Sequence, residues 1–98
     1  MKKKALPLAE VIWYDAEEEG DPGWNDFKKM KAYAKKACPL MRSIGYVVYE
    51  SDSHIAMVST LAEDQSVCST CEKIPKGMVV SITLLSREST QEMPRITP

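Results

Sequence analysis

From Met41 to Leu85 short apolar segments alternate with turn signals, and that rhythm leaves few ways for the chain to fold. Met41–Glu50 and His54–Leu61 flank the tight turn Ser51-Asp52-Ser53. A polar loop and Lys73-Ile74-Pro75-Lys76-Gly77 then lead into a third apolar segment, Met78–Leu85. Runs of this length and composition, separated by turn residues, read as a β-meander. In the first run Ile44, Tyr46 and Val48 share one face and Met41, Val47 and Tyr49 the other. Gly45 between them predicts a bulge or a sharp bend. In the second, Ile55, Met57, Ser59 and Leu61 oppose His54, Ala56, Val58 and Thr60. The last run places Met78, Val80, Ile82 and Leu84 inward and Val79, Ser81 and Thr83 outward. A short additional strand is expected around Val67–Lys73, and the Ile74-Pro75 step suits a single helical turn before the final strand.

The N-terminal half adds one strand and one helix. Leu8–Tyr14 carries Val11, Ile12, Trp13 and Tyr14, apolar at both parities, and reads as a strand covered on both faces or nearly so. Asp15–Trp24 is an acidic loop punctuated by Gly20 and Pro22-Gly23, with Trp24 expected to tuck back and anchor it. Asn25–Ala37 reads as a helix capped by Asn25 and stopped by Pro39. At ~100° per residue Phe27, Met30, Tyr33, Ala34 and Ala37 fall on one arc, and lysines occupy the rest. The order is therefore β-loop-α-β-β-(β)-β. The expected fold is α+β and β-rich: a small SH3-like open barrel of four or five antiparallel strands, with one helix between strands one and two, covering an end or a face.

A chain of 98 residues makes one domain. The ordered core is expected over about 8–86, with a basic arm at 1–7 and a polar tail at 87–98. A net charge of −1 gives no global field for nucleic acid or anionic lipid. The apolar run after Lys2-Lys3-Lys4 is shorter than the roughly 7–15 residues of an export signal, and nothing approaches the roughly 18 apolar residues of a membrane span. The reading is a cytoplasmic protein with no membrane association. Three cysteines, an odd count, argue against a disulfide framework.

Two constellations bear on chemistry. Cys68-Ser69-Thr70-Cys71 is a single C-x-x-C pair, and a structural zinc site would need Cys38 and His54 as its third and fourth ligands. That gives a zinc-stabilised structural or nucleic-acid adaptor as one alternative; otherwise Cys38 packs as a small hydrophobe and the pair lies in a loop. The helix lysines form the best anion-binding candidate: Lys28, Lys31 and Lys35, joined by Trp24, are the expected ligand- or partner-binding residues, against a simply solvated face. Duplex DNA is disfavoured by the acidic residues just upstream, and RNA stacking by Tyr46 and Tyr49 lying on opposite faces. His54 in its hairpin turn has no serine or cysteine placed as a nucleophile, so no catalytic residue and no cofactor is assigned.

Four short signatures, in order, carry a resemblance. They are Val11-Ile12-Trp13-Tyr14-Asp15, Gly23-Trp24, Met41-Arg42-Ser43-Ile44-Gly45-Tyr46-Val47 and Ile74-Pro75-Lys76-Gly77-Met78-Val79. Together they resemble small proteins of unassigned function encoded by tailed bacteriophages and prophages, over about residues 8–86. The resemblance brings no catalytic residues, and the cysteines are not part of its pattern. It implies a phage accessory protein that acts by binding, in a counter-defence role, either blocking a host protein or sequestering an anionic small molecule. Self-association into a homo-oligomer would enlarge the surface available for either task.

Overall fold

Strand β1 (Leu8–Tyr14) runs as its sequence predicts, with Ala9 and Val11 fully buried and Tyr14 exposed. The computed structural model describes residues 5–85, so residues 1–4 of the expected arm and all of the expected tail at 87–98 lie outside the described residues. After β1 come helix α1 (Phe27–Ala34), β2 (Leu40–Glu50), β3 (His54–Val58), β4 (Cys71–Pro75), a 3-10 turn at Lys76–Met78, and β5 (Val79–Leu84). The five strands form one antiparallel sheet in the order β4-β3-β2-β1-β5. The expected strand-rich α+β class therefore holds. The sheet has two ends, β4 and β5, that do not pair with each other, so it is not closed into a barrel.

One face of the sheet makes the core. Val11 lies opposite Ser43 and Ile82, Val47 opposite Met57, and Ile55 opposite Ile74. Ala9, Val11, Ile55, Met57 and Ile74 form the buried cluster, with Trp13, Val47 and Val79 packed against it. The Trp13 indole N–H donates to Ser43 Oγ at 3.0 Å, so the ring satisfies its one polar group while its body packs. Strand β3, between β4 and β2, is buried on both faces from Ile55 to Val58. On the core side of β1 Ala9 and Val11 are buried and Trp13 half-buried, while Leu8 and Ile12 are half-buried on the other side.

Two irregularities bend the sheet. The register between β2 and β3 shifts at Val47/Tyr49, and that between β1 and β5 at Ile12/Trp13. Each inserts an extra residue and reverses the parity beyond it. Two sequence expectations change as a result. Tyr49 falls opposite Ala56 and Tyr46 opposite Val58, so the two tyrosines share a face instead of opposing each other. Val79 falls opposite Trp13 and packs on the core instead of pointing outward. Ile82 and Leu84 do lie on the core side, opposite Val11 and Ala9, yet they remain 38% and 64% exposed at the sheet's end.

Gly45 is not itself the bulge. A Cβ there would stand 2.6 Å from the Val58 carbonyl oxygen, so the residue is glycine because β3 backbone occupies that space. The turn at Lys76–Met78 is the helical turn expected after Ile74-Pro75. It docks on the β2–β3 turn: Lys76 N–H donates to Ser53 C=O at 2.9 Å, and Lys76 Nζ meets Glu50 Oε2 at 2.7 Å. The fourth strand begins at Cys71, later than expected, because residues 59–70 are tied by side chains. Ser69 Oγ accepts from the Ser59 and Thr60 N–H groups, and Asp64 accepts from Ser66 Oγ and N–H. Those Ser66 bonds hold the Asp64 carboxyl below its ordinary range.

Candidate functional site

Residues 15–39 leave the sheet between two strand ends that face each other. Tyr14 pairs with Leu40, and the next step out, Asp15 N–H, donates to Pro39 C=O at 3.0 Å. The segment is thus an arm with a closed neck. Inside it the loop is built on Asn25. The Asn25 amide donates to Asp21 C=O at 3.0 Å and accepts from Asp21 N–H at 2.9 Å. Gly20 and Gly23, at φ +127° and +96°, supply turns that other residues adopt only with strain.

With Asn25 occupied, the helix is capped one residue later than predicted: Asp26 Oδ2 accepts from Lys29 N–H at 3.0 Å. The helix is also shorter, eight residues ending at Ala34. Tyr33 ties it back to the acidic loop. Partial desolvation, then a hydrogen bond to Glu17 and the negative charges of Glu17, Glu19 and Cys38, push the Tyr33 hydroxyl up to about 12.

The arc of Phe27, Met30, Tyr33, Ala34 and Ala37 was expected to cover an end or a face of the sheet. It does not. No residue of α1 is buried, and the helix makes at most glancing contact with the strands. Its apolar side is only partly used within the arm, where Met30 and Tyr33 are half-buried, while Phe27 stays 77% exposed. Trp24 does not tuck back: it is fully exposed, since Asn25 already holds the loop.

The predicted binding residues come together on this arm. Lys28, Lys31 and Lys35, spaced i, i+3, i+7, make one stripe along the helix. Phe27 sits beside it, four residues before Lys31, and Trp24 precedes it in the loop. None of the three lysines is in an ion pair with a described residue; the pairs among the described residues are Arg42–Glu10 and Lys76–Glu50. Phe27 is the residue that the sequence reading missed, because helical periodicity alone cannot say whether an apolar arc meets a core. The usable signal was the matching of Leu8–Tyr14 with the start of β2, which makes the helix an insertion at a hairpin tip.

The four candidate metal ligands are not assembled. His54 pairs with Pro75 at one end of the β3–β4 ladder and Cys71 with Val58 at the other, about 13 Å apart along the strands. Cys68 lies opposite Leu61, and Cys38 precedes Pro39 at the neck of the arm. All three cysteines are free and exposed, and no group of three or more His, Cys, Asp or Glu among the described residues could hold a metal ion. The His54 Nδ1 lies 2.9 Å from Ser53 Oγ, and its ring lies tilted by 36° against Tyr49, with centroids 5.4 Å apart.

A hollow of about 720 Å³ lies at the far end of β1 from the arm, between Ala5–Leu8, Tyr46, Leu61–Glu63 and Leu85. Its lining is mainly aliphatic and brings no nucleophile and base together among the described residues. No described helix is long and apolar enough to cross a membrane. Family models, curated proteins and solved structures give no match to this chain, so its own geometry is what its function must follow from.

Proposed function

We propose that the chain is a non-enzymatic binding module of the phage type, which blocks a host protein by engaging it through the 15–39 arm. The observation that carries this is the placement of Trp24 and Phe27, two large aromatics held in water on an insertion that adds no buried residue to the sheet. Tryptophan and other rigid aromatics contribute most to affinity when an interface closes over them. The lysine stripe beside them favours an acidic partner surface and would speed encounter with it. A counter-defence role agrees with the resemblance to phage accessory proteins.

Sequestration of an anionic small molecule is less well supported. Small-ligand sites are concave, and the lysines lie along the outside of a helix. The finer fold reading, an SH3-like open barrel, belongs with the same proposal. Its support is the strand order and the fact that the two end strands are joined by only Lys76–Met78, which rolls the sheet toward itself at that corner.

The test compares the wild-type chain with Trp24→Ala/Phe27→Ala and Lys28→Glu/Lys31→Glu/Lys35→Glu, used as baits in lysate of a bacterial host. The expected result is one host protein retained near stoichiometry by the wild type and lost by both variants, whose melting is unchanged. Equal retention by all three baits, or a rise in melting temperature with nucleotides and no retained protein, would overturn it.

A further inference from the structure

The two ends of the sheet are treated very differently by the sequence. β4 reads Cys71-Glu72-Lys73-Ile74-Pro75, with two charges and a proline in five residues. Charges and proline are what natural edge strands use to prevent pairing with another chain. β5 has none of these: from Gly77 to Leu85 there is no charge and no proline. Val80, Ile82 and Leu84 on it are 56%, 38% and 64% exposed.

One hydrogen bond fixes which backbone groups of β5 face outward. Leu85 N–H donates to Leu8 C=O at 2.7 Å, so Leu85 faces β1. Residues of an antiparallel strand alternate in this respect. Thr83 and Ser81 therefore also face β1, while Ile82 and Leu84 direct their N–H and C=O groups away from the sheet. β4 cannot satisfy them, because it makes at most glancing contact with β5.

We infer that this edge is an interface with a second copy of the chain, formed by antiparallel β5–β5 pairing about a two-fold axis at Ile82. The sequence is self-complementary in that register. Ile82 falls opposite Ile82 of the second copy, and Leu84 opposite Val80, the extra residue at the Ile12/Trp13 shift, aliphatic against aliphatic. Ser81 falls opposite Thr83, hydroxyl against hydroxyl. Such cross-strand pairs are favourable. This register joins the outward groups of Ile82 to those of Ile82 in the second copy, so one alignment pairs backbone and side chains at the axis. It also covers the core-side apolar surface that Ile82 and Leu84 leave in water. This interface is independent of whatever the arm binds.

The test uses the full chain. Light scattering at high micromolar concentration should give twice the chain mass. Ile82→Lys sets two ammonium groups opposite each other at the axis, and Leu84→Lys guards the edge where exposure is greatest; each should return the single-chain mass with a folded circular dichroism spectrum. With Cys38, Cys68 and Cys71 changed to Ser, Ile82→Cys should cross-link two chains on mild oxidation. A hydrogen-bonded antiparallel pair has Cα atoms about 5.5 Å apart, within disulfide reach. Ser81→Cys meets its own copy only diagonally, at roughly 7–8 Å, and should cross-link far less. If either lysine variant fails to fold, the cross-linking pair decides. A single-chain mass for the wild type overturns the inference, whether residues 86–98, a foreign peptide or water lies along the edge. So does a dimer that survives both lysine variants, or one in which Ile82→Cys links no better than Ser81→Cys.

Discussion

Gly45→Ala isolates one contact that the bend in the sheet depends on. The added Cβ would stand 2.6 Å from the Val58 oxygen and 3.2 Å from its carbonyl carbon. Ordinary contact begins near 3.4 Å, and the obstructing atoms are backbone, so β2 and β3 must separate by most of an ångström. Overpacking of this kind costs about 1–3 kcal/mol. Against it stands the reduced freedom of the unfolded chain, which favours alanine by about 0.4–1 kcal/mol wherever the backbone geometry suits it. Gly45 has no positive φ, so that gain applies in full. The balance lies between about 0 and 2.6 kcal/mol and centres on a destabilisation of about 1.3 kcal/mol, or a fall in Tm of roughly 5–10 °C for a domain this small. The assay is thermal and urea melting followed by circular dichroism, at one fixed protein concentration. Gly77→Ala is the control. Nothing lies within 4 Å of its added Cβ and its φ is unexceptional, so its midpoint should stay level or rise slightly. A Gly45→Ala chain as stable as the wild type would refute the close approach of β3 on β2.

Two further predictions concern the arm. Asp26→Ala removes the cap and should cost the helix about 1 kcal/mol. With no buried residue in α1, this should appear as faster amide exchange at Lys29 and Met30 with little change in the global midpoint; a large drop in the global midpoint would mean that the helix packs on the sheet. Tyr33 should titrate near 12 when followed by phenolate absorbance, well after an ordinary tyrosine near 10. Its raised value favours the neutral phenol in the folded arm, so the contribution is present below about 10 and is lost as pH rises through about 12. Glu17→Gln should move the titration down; no movement would mean that the hydroxyl is not bonded to Glu17.

Much of the sheet was legible in the sequence because period-2 alternation is read directly from one chain. β1, the β2–β3 turn and the helical turn after Pro75 all sit where local chemistry puts them. Parity beyond a bulge was not legible. The extra residue near Val48 is decided by cross-strand fit, and it moved Tyr49 to the face of Tyr46. Pattern alone picks out the candidate lysines and Trp24 but not Phe27, because an amphipathic arc looks the same over a core and over solvent. The cysteines and His54 illustrate the converse: sequence can count soft ligands, yet strand register sets their separation.

The neck at Asp15 and Pro39 separates two kinds of selection. Register between the first two strands is complete at Tyr14 and Leu40, before the chain departs, so nothing in the core depends on what lies between. That cassette can be lengthened, shortened or rewritten while the scaffold stays unchanged, as loops on rigid frames generally are. On the proposed reading, an arm built this way can follow a target that keeps altering its own surface, and changes should accumulate in the cassette while Gly45 and its neighbours stand still.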